Sequence, residues 1–381
     1  MAGSVTWDEV RSLAGVEARS ACAISLYVNL DPSVAPTPGG AQTRVNSLLD
    51  EASKSAAATR DDLSHDARQA LRTDFDRIRR YFDQEFVRDG SRGAVVFCAS
   101  LDGIWVTREL VAPVSDQATV GRELLLTPLV RQVGCGEGAL VVMASREQGR
   151  FYELQGGRLE ELADLSDRQP RRHDQGGWSQ ARMQRHVDEL ASEHLREVAE
   201  GLDFRVREAH GDVQVVVVAP EETRAELSNL LSQEAQRSLV GWTHAEAHAG
   251  PADLLEVALP VIERARADRE ERLVERWREE AGRGARASAG WADTLEAVSD
   301  GRVETLLASD AAAREAWRCP QCRRLSASEG ACPLDGTAME LVENGLDAAM
   351  HRALVQGGTV WIAEHARDLD PVEGLGALLR F

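Results

Sequence analysis

Apolar residues in this chain gather into short dense runs, and the intervals between the runs carry helical periodicity. Ala23–Leu30, Gly93–Cys98, Leu140–Ser145 and Val213–Ala219 contain no charged residue and read as buried strands. Val213–Ala219 is apolar at every position but Gln214, the pattern of a strand covered on both faces. Shorter runs at Ile104–Thr107, Arg150–Leu154, Leu159–Leu162, Glu304–Ser309 and Thr359–Ala363 add further strands. Helices are predicted at 8–20, 43–59, 64–89, 179–201, 221–230, 252–280 and 345–357. Asp31–Gly40, with three prolines and two glycines, is a loop. Strands alternating with helices predict an α/β fold class with mixed sheets.

The runs fall into three groups. They predict an N-terminal α/β domain over 1–134, a middle α/β domain over 135–285 and a C-terminal α/β domain over 286–381. A length of 381 residues suits two or three domains, and 43% hydrophobic content is enough for their cores. No apolar stretch is long enough to span a membrane and no secretory pattern opens the chain, so a cytoplasmic location without a membrane partner is expected.

Charge narrows the choice of partners. Against 63 acidic residues stand 44 basic ones, a formal net charge of -19. That balance argues against broad binding to nucleic acid, so any RNA contact must be local. A local basic cluster does occur: Arg168, Arg171, Arg172, His173, Arg182, Arg185 and His186 surround the adjacent Gly176 and Gly177. Paired glycines permit backbone conformations closed to other residues and let the chain approach a partner closely. A basic tip on an acidic body points to a phosphate-rich target. The plainer alternative is a solvated turn, with Ser179 capping the next helix.

Cysteine usage separates two classes. Cys22, Cys98 and Cys135 are scattered in apolar surroundings and read as buried thiols. Cys319 and Cys322 form Cys-Pro-Gln-Cys, and Cys332 begins Cys-Pro-Leu-Asp, a spacing that favours a structural zinc over disulfides. Tetrahedral zinc needs a fourth ligand. Asp335 stands where a second knuckle would place its last cysteine, and His351 is the alternative. A degenerate, metal-free knuckle is the competing reading. His186 and His194, eight residues apart, have no partner spacing that would make a site.

Residues 170–190 resemble, without a gap, the GGQ loop and following helix of the archaeo-eukaryotic class-1 release factors. That family carries a Lys/Arg pair, a histidine, Gly-Gly-Gln-Ser and arginines along the helix. Here the positions hold Arg171, Arg172, His173, Gly176, Gly177, Trp178, Ser179, Arg182 and Arg185, so Trp178 replaces the glutamine. The opening Thr294-Leu295 through Val303-Glu304-Thr305-Leu306-Leu307 and the close Gly374–Phe381 are similar to the family's third domain. Arg44-Val45-Asn46 matches the start of a helix in the first domain. However, Gly40-Ala41-Gln42-Thr43 replaces the codon-reading Asn-Ile-Lys-Ser, and Leu124–Leu129 lacks the Tyr, Cys and Phe of the second codon-reading element.

The resemblance implies three α/β domains in the release-factor arrangement, with a small zinc-knuckle insertion in the third. It implies a ribosomal partner, with Arg171, Arg172, His173, Gly176, Gly177, Trp178, Arg182 and Arg185 meeting rRNA in the A site near the peptidyl-transferase centre. Transfer RNA and a translational GTPase such as elongation factor Tu are further implied partners. Absent decoding elements and glutamine resemble Pelota/Balon-like members, which implies hibernation or rescue, on an idle or a stalled ribosome. Trp178 offers an indole N–H and no acceptor, so it suits stacking on a base better than holding a water. An enzymatic alternative uses Gln180: shifted by one residue, Gly177-Trp178-Ser179-Gln180 resembles the Gly-Ser-Gln loop of mitochondrial peptidyl-tRNA hydrolases. A protein-interaction module outside translation is the third reading, motivated by the acidic surface.

Overall fold

The structure, a computed structural model, describes residues 5–381 except 36, 60–62, 89, 111, 134–137, 156, 167–179, 210–212, 247, 310–311, 313 and 364–366. Contacts divide the chain into two compact units: Gly134–Arg266 forms one, and Val5–Val133 with Ala267–Phe381 forms the other.

The N-terminal segment opens with α1 (Trp7–Ala14), capped by the Thr6 hydroxyl, which accepts from the Glu9 amide at 3.2 Å. The helix stops at Gly15, well short of the predicted residue 20. Then follow β1 (Ala23–Asn29), α2 (Pro38–Thr59), α3 (His65–Arg80), β2 (Gly93–Ala99), β3 (Ile104–Leu110), β4 (Gln117–Gly121) and the single turn α4 (Thr127–Val130). The strands pair antiparallel in the order β3-β2-β1-β4. Alternation along β1 explains its uncharged sequence. Ile24, Leu26 and Val28 face α2 and α3, whereas Ala23 and Tyr27 face a second core that includes Leu306, Leu346 and Met350 from the C-terminal segment.

Within Gly134–Arg266 lie β5 (Leu140–Ala144), β6 (Gly149–Gln155), β7 (Arg158–Asp164), α5 (Gln180–Glu208), β8 (Val215–Val218), α6 (Glu221–Leu230), α7 (Gln233–Ser238) and β9 (Leu239–Thr243). Helix α8 (Pro251–Gly282) begins there. The sheet order is β7-β6-β5-β8-β9; β5, β8 and β9 run parallel, and β6 and β7 pair antiparallel at the other side. Every residue of β5 and β8 is buried. Helix α5 covers the sheet with Val198, Ala199, Leu202 and Val206, a stripe at helical spacing. It comes so close at Gly149 that a Cβ there would stand 2.6 Å from Val198. Glycine is therefore required by packing at that position.

The C-terminal segment contains β10 (Ala287–Ala289), α9 (Trp291–Ser299), β11 (Val303–Ser309), β12 (Ala316–Arg318), β13 (Leu325–Ser326), β14 (Glu340–Val342), α10 (Gly345–Val355), β15 (Thr359–Ala363) and β16 (Leu375–Leu379). The larger sheet, β10-β16-β11-β15, pairs β11 and β15 in parallel across the α10 crossover. A separate three-stranded sheet, β13-β12-β14, carries the cysteine cluster. Trp277 of α8 packs on Leu307, Trp361 and Leu378, and its indole donates to the Ser288 carbonyl at 2.9 Å. Among the described residues no helix is long and apolar enough to cross a membrane.

Candidate functional site

Two knuckles of one design build the cysteine cluster. In the first, the Cys319 amide donates to Arg324 O at 2.9 Å and the Arg323 amide returns to Cys319 O at 2.9 Å. In the second, the Cys332 amide donates to Thr337 O at 2.8 Å and the Gly336 amide returns to Cys332 O at 2.9 Å. The fifth residue of each is left-handed, with φ of 62° at Arg323 and 72° at Gly336. Only glycine takes that conformation without penalty, so Arg323 is held there by its surroundings. Superposing one knuckle on the other puts Asp335 at the position of Cys322, because both stand three residues after the first cysteine.

The four candidate ligand atoms converge: those of Cys319, Cys322, Cys332 and Asp335 all lie within 4.8 Å of one another. Cys322 Sγ is 3.4 Å from Cys332 Sγ, and Cys319 Sγ is 3.4 Å from Asp335 Oδ2. Thiolates about 2.3 Å from a tetrahedral ion stand at about this separation, so the donor set fits a metal. The electrostatics favour charged ligands at two of the four. Burial opposes the Cys332 thiolate, but amides of Leu334 and Asp335 and the neighbouring cysteines outweigh it and hold the thiol below its ordinary value. The Thr337 amide and hydroxyl hold the Asp335 carboxyl down at about 2. At Cys322 the Arg324 amide favours the thiolate, yet burial and the neighbouring Cys332, Cys319 and Asp335 push the thiol up to about 11. A divalent cation at the centre would reverse that penalty.

His351 is not part of this group. Its Nδ1 lies 3.0 Å from Ala14 O and its Nε2 2.6 Å from Leu124 O, so both ring nitrogens are engaged elsewhere. Cys22 and Cys98 are buried. Burial, reinforced by Asp74, pushes the Cys98 thiol up to about 12, which makes it unreactive. Cys135 lies outside the described residues.

The glycine-rich stretch joins β7 to α5. β7 ends at Asp164, whose Oδ1 accepts from the Ser166 amide at 2.8 Å, and Leu165 N donates to Gly149 O at 2.8 Å. Arg171, Arg172, His173, Gly176, Gly177, Trp178 and Ser179 lie outside the described residues. Gln180, Arg182 and Arg185 are in the first two turns of α5. Helix α5 packs on the sheet with His194 and Val198 beside Gly149, the first residue of β6. His194 is buried there with its Nε2 lacking a partner among the described residues, and Arg146 meets Asp188 of α5 at 3.4 Å.

Comparison with known proteins covers the segment that contains this stretch. Residues 125–263 match the model of bacterial archaeo-eukaryotic release factor family 10. That middle segment is similar to the release-factor superfamily. The release-factor likeness extends to archaeal proteins named peptide chain release factor subunit 1. The one from Methanopyrus kandleri is 29% identical over 195 residues, 48% of this chain and 46% of its own length. The one from Archaeoglobus fulgidus is 27% identical over 231 residues, 53% of this chain and 54% of its own. The chain thus spans about half the length of the release factors it matches. Among solved structures, Archaeoglobus fulgidus Pelota aligns over 100% of this chain and 94% of its own at 15% identity, with a TM-score of 0.35.

Sequence reasoning named the four converging ligands but missed the residues that shape them. Arg323 and Gly336 take the left-handed positions of the two turns and the Thr337 amide donates to Asp335 Oδ1 at 2.9 Å, and the signal for them was the repeat of Cys-Pro-x-[Cys/Asp].

Proposed function

We propose that this chain is a ribosome-binding translation factor that occupies the A site without reading a stop codon, in ribosome hibernation or rescue. The observation that carries the reading is the family match over 125–263, which encloses the whole glycine-rich stretch and α5. Arg171, Arg172, His173, Gly176, Gly177, Trp178, Arg182 and Arg185 form the RNA-contacting tip. Neutralised phosphates supply most of the affinity in such contacts. Trp178 adds stacking on a base, worth about 1–3 kcal/mol.

Burial of the segment that would read a codon supports the non-decoding part. Leu124, Leu126 and Leu129 are fully buried, and Leu126 N donates to Asp347 Oδ1 at 3.0 Å. A segment so enclosed has no free side chains to meet a codon. Cys319, Cys322, Cys332 and Asp335 hold one structural zinc, with His351 excluded by its own hydrogen bonds. Ribosomal RNA is the principal partner, and tRNA and a translational GTPase are secondary ones.

Competition tests the reading. Labelled protein bound to vacant ribosomes should be displaced by aminoacyl-tRNA delivered to the A site. Retention of the label under saturating A-site tRNA would place the protein elsewhere.

A further inference from the structure

The knuckles hold three cysteines, one short of two pairs, because Asp335 takes the fourth place. Under oxidation, Cys-x-x-Cys spacing alone would pair Cys319 with Cys322. The geometry favours a different pair. Cys322 Sγ stands 3.4 Å from Cys332 Sγ, one sulfur from each knuckle. A disulfide needs about 2.05 Å between its sulfurs, so a short movement of two side chains joins them.

Cys319 is engaged elsewhere. Its Sγ lies 3.4 and 3.6 Å from the two carboxylate oxygens of Asp335 and accepts from the Cys322 amide at 3.5 Å. Its backbone closes the first knuckle through Arg324 O and the Arg323 amide, at 2.9 Å each. Cys319 is also fully buried, whereas Cys322 is part-exposed and follows the exposed Pro320 and Gln321. A small oxidant arriving from solvent therefore meets Cys322 first, and Cys332 is placed to resolve the product.

We propose that peroxide joins Cys322 to Cys332, and that this bond takes two ligands from the metal. Hydrogen peroxide transfers one oxygen to the Cys322 thiolate, giving a sulfenic acid and hydroxide. The Cys332 thiolate then attacks that sulfur, the S–S bond forms, and a second hydroxide leaves. Two thiolates lose two electrons between them, and the peroxide gains both. Cys319 and Asp335 remain, too few for a tetrahedral ion, so zinc is released. Asp335 limits the oxidised cluster to one disulfide, and a thiol reductant reverses it. The disulfide follows from the thiol geometry alone; the release of zinc rests on the metal reading above.

Peroxide titration of the full-length protein tests it, read by a chromogenic zinc indicator, thiol counting and peptide mapping by mass spectrometry. Each chain should lose one zinc and two cluster thiols, with Cys322–Cys332 as the mapped disulfide and Cys319 recovered as a free thiol. Dithiothreitol with added zinc should restore the starting state. Cys332→Ser should abolish the cluster disulfide, and Asp335→Cys should add a second one, between Cys319 and the introduced thiol. The wild-type map decides the matter even where a variant does not fold. A Cys319–Cys322 disulfide as the main product overturns the proposal. Oxidation of Cys322 to sulfinic acid without a disulfide overturns it too, as does survival of all three thiols under excess peroxide. The Cys322–Cys332 bond forming in protein that carries no zinc supports the disulfide and refutes the metal reading instead.

Discussion

Nε2 of His351 stands 3.4 Å from a carboxylate oxygen of Asp347, one turn earlier on α10, and both side chains are buried. The two residues join three pieces of chain that are remote in sequence. His351 faces Ala14 O and Leu124 O, one carbonyl for each ring nitrogen, while Asp347 Oδ1 accepts from Leu126 N and from Thr127 N and Oγ1. A neutral imidazole has one N–H and would turn a lone pair toward one of those carbonyls. The imidazolium satisfies both, with Asp347 compensating its charge.

Stability should therefore fall as pH rises. Burial disfavours the charged ring, but the Asp347 hydrogen bond and charge, Glu123 and the Leu124 carbonyl outweigh it and raise the His351 pKa from 6.5 to about 9. A raised folded pKa gives stabilisation that is full below about 6.5 and lost as pH climbs through about 9. Stability from denaturant unfolding between pH 6 and 10 should decline through that window, by on the order of 3 kcal/mol in total. His351→Gln should remove the slope. A wild-type profile that is flat from pH 6.5 to 9.5 would show a neutral ring.

Removing Asp347 should be costly. Asp347→Ala leaves a buried imidazolium without its counter-charge and two amides without an acceptor, a loss of roughly 3–5 kcal/mol. Chemical denaturation measures it. A loss below about 1 kcal/mol would mean that the contact contributes little.

The metal site makes a separate prediction. Purified protein should contain one zinc per chain, Asp335→Cys should keep it, and Asp335→Ala should lower zinc affinity by at least about tenfold. Chelation should raise amide exchange over β12, β13 and β14 and leave the middle sheet protected. Elemental analysis finding no zinc, with Cys319 alkylated readily under native conditions, would remove the metal from the account.

How much of this was legible depended on how local each feature is. The apolar runs of β1, β2, β5 and β8 declared themselves because both faces of those strands are covered, and α6 begins and ends at the predicted residues Glu221 and Leu230. The ligand set was readable for the same reason, since each knuckle spans a few consecutive residues. Strand β4, Gln117–Gly121, was not: it is partly exposed, and only its pairing with β1 makes it a strand. Strand β9 has the same half-exposed edge character. The role of His351 was illegible, because its partners lie 337 and 227 residues away.

Peptide release separates the non-catalytic reading from the hydrolytic one. Hydrolysis needs a side chain with an acceptor to hold the attacking water, and the indole of Trp178 has none. Ribosomes carrying labelled peptidyl-tRNA should release no peptide on addition of the wild-type protein, with or without a stop codon. Trp178→Gln restores the family residue and should be the variant that gains weak release. Rapid release by wild type that vanishes in Gln180→Ala would establish a peptidyl-tRNA hydrolase instead.

The most direct test of the central claim is co-sedimentation with ribosomes across a salt series. Wild-type protein should pellet with ribosomes at low salt and be released steeply as salt rises, because each neutralised phosphate adds to the slope. The triple variant Arg171→Ala, Arg172→Ala, Arg182→Ala should remain in the supernatant under conditions that pellet wild type, with a shallower salt dependence. Equal pelleting of wild type and variant, or no pelleting of wild type at any salt, would contradict a tip that binds ribosomal RNA.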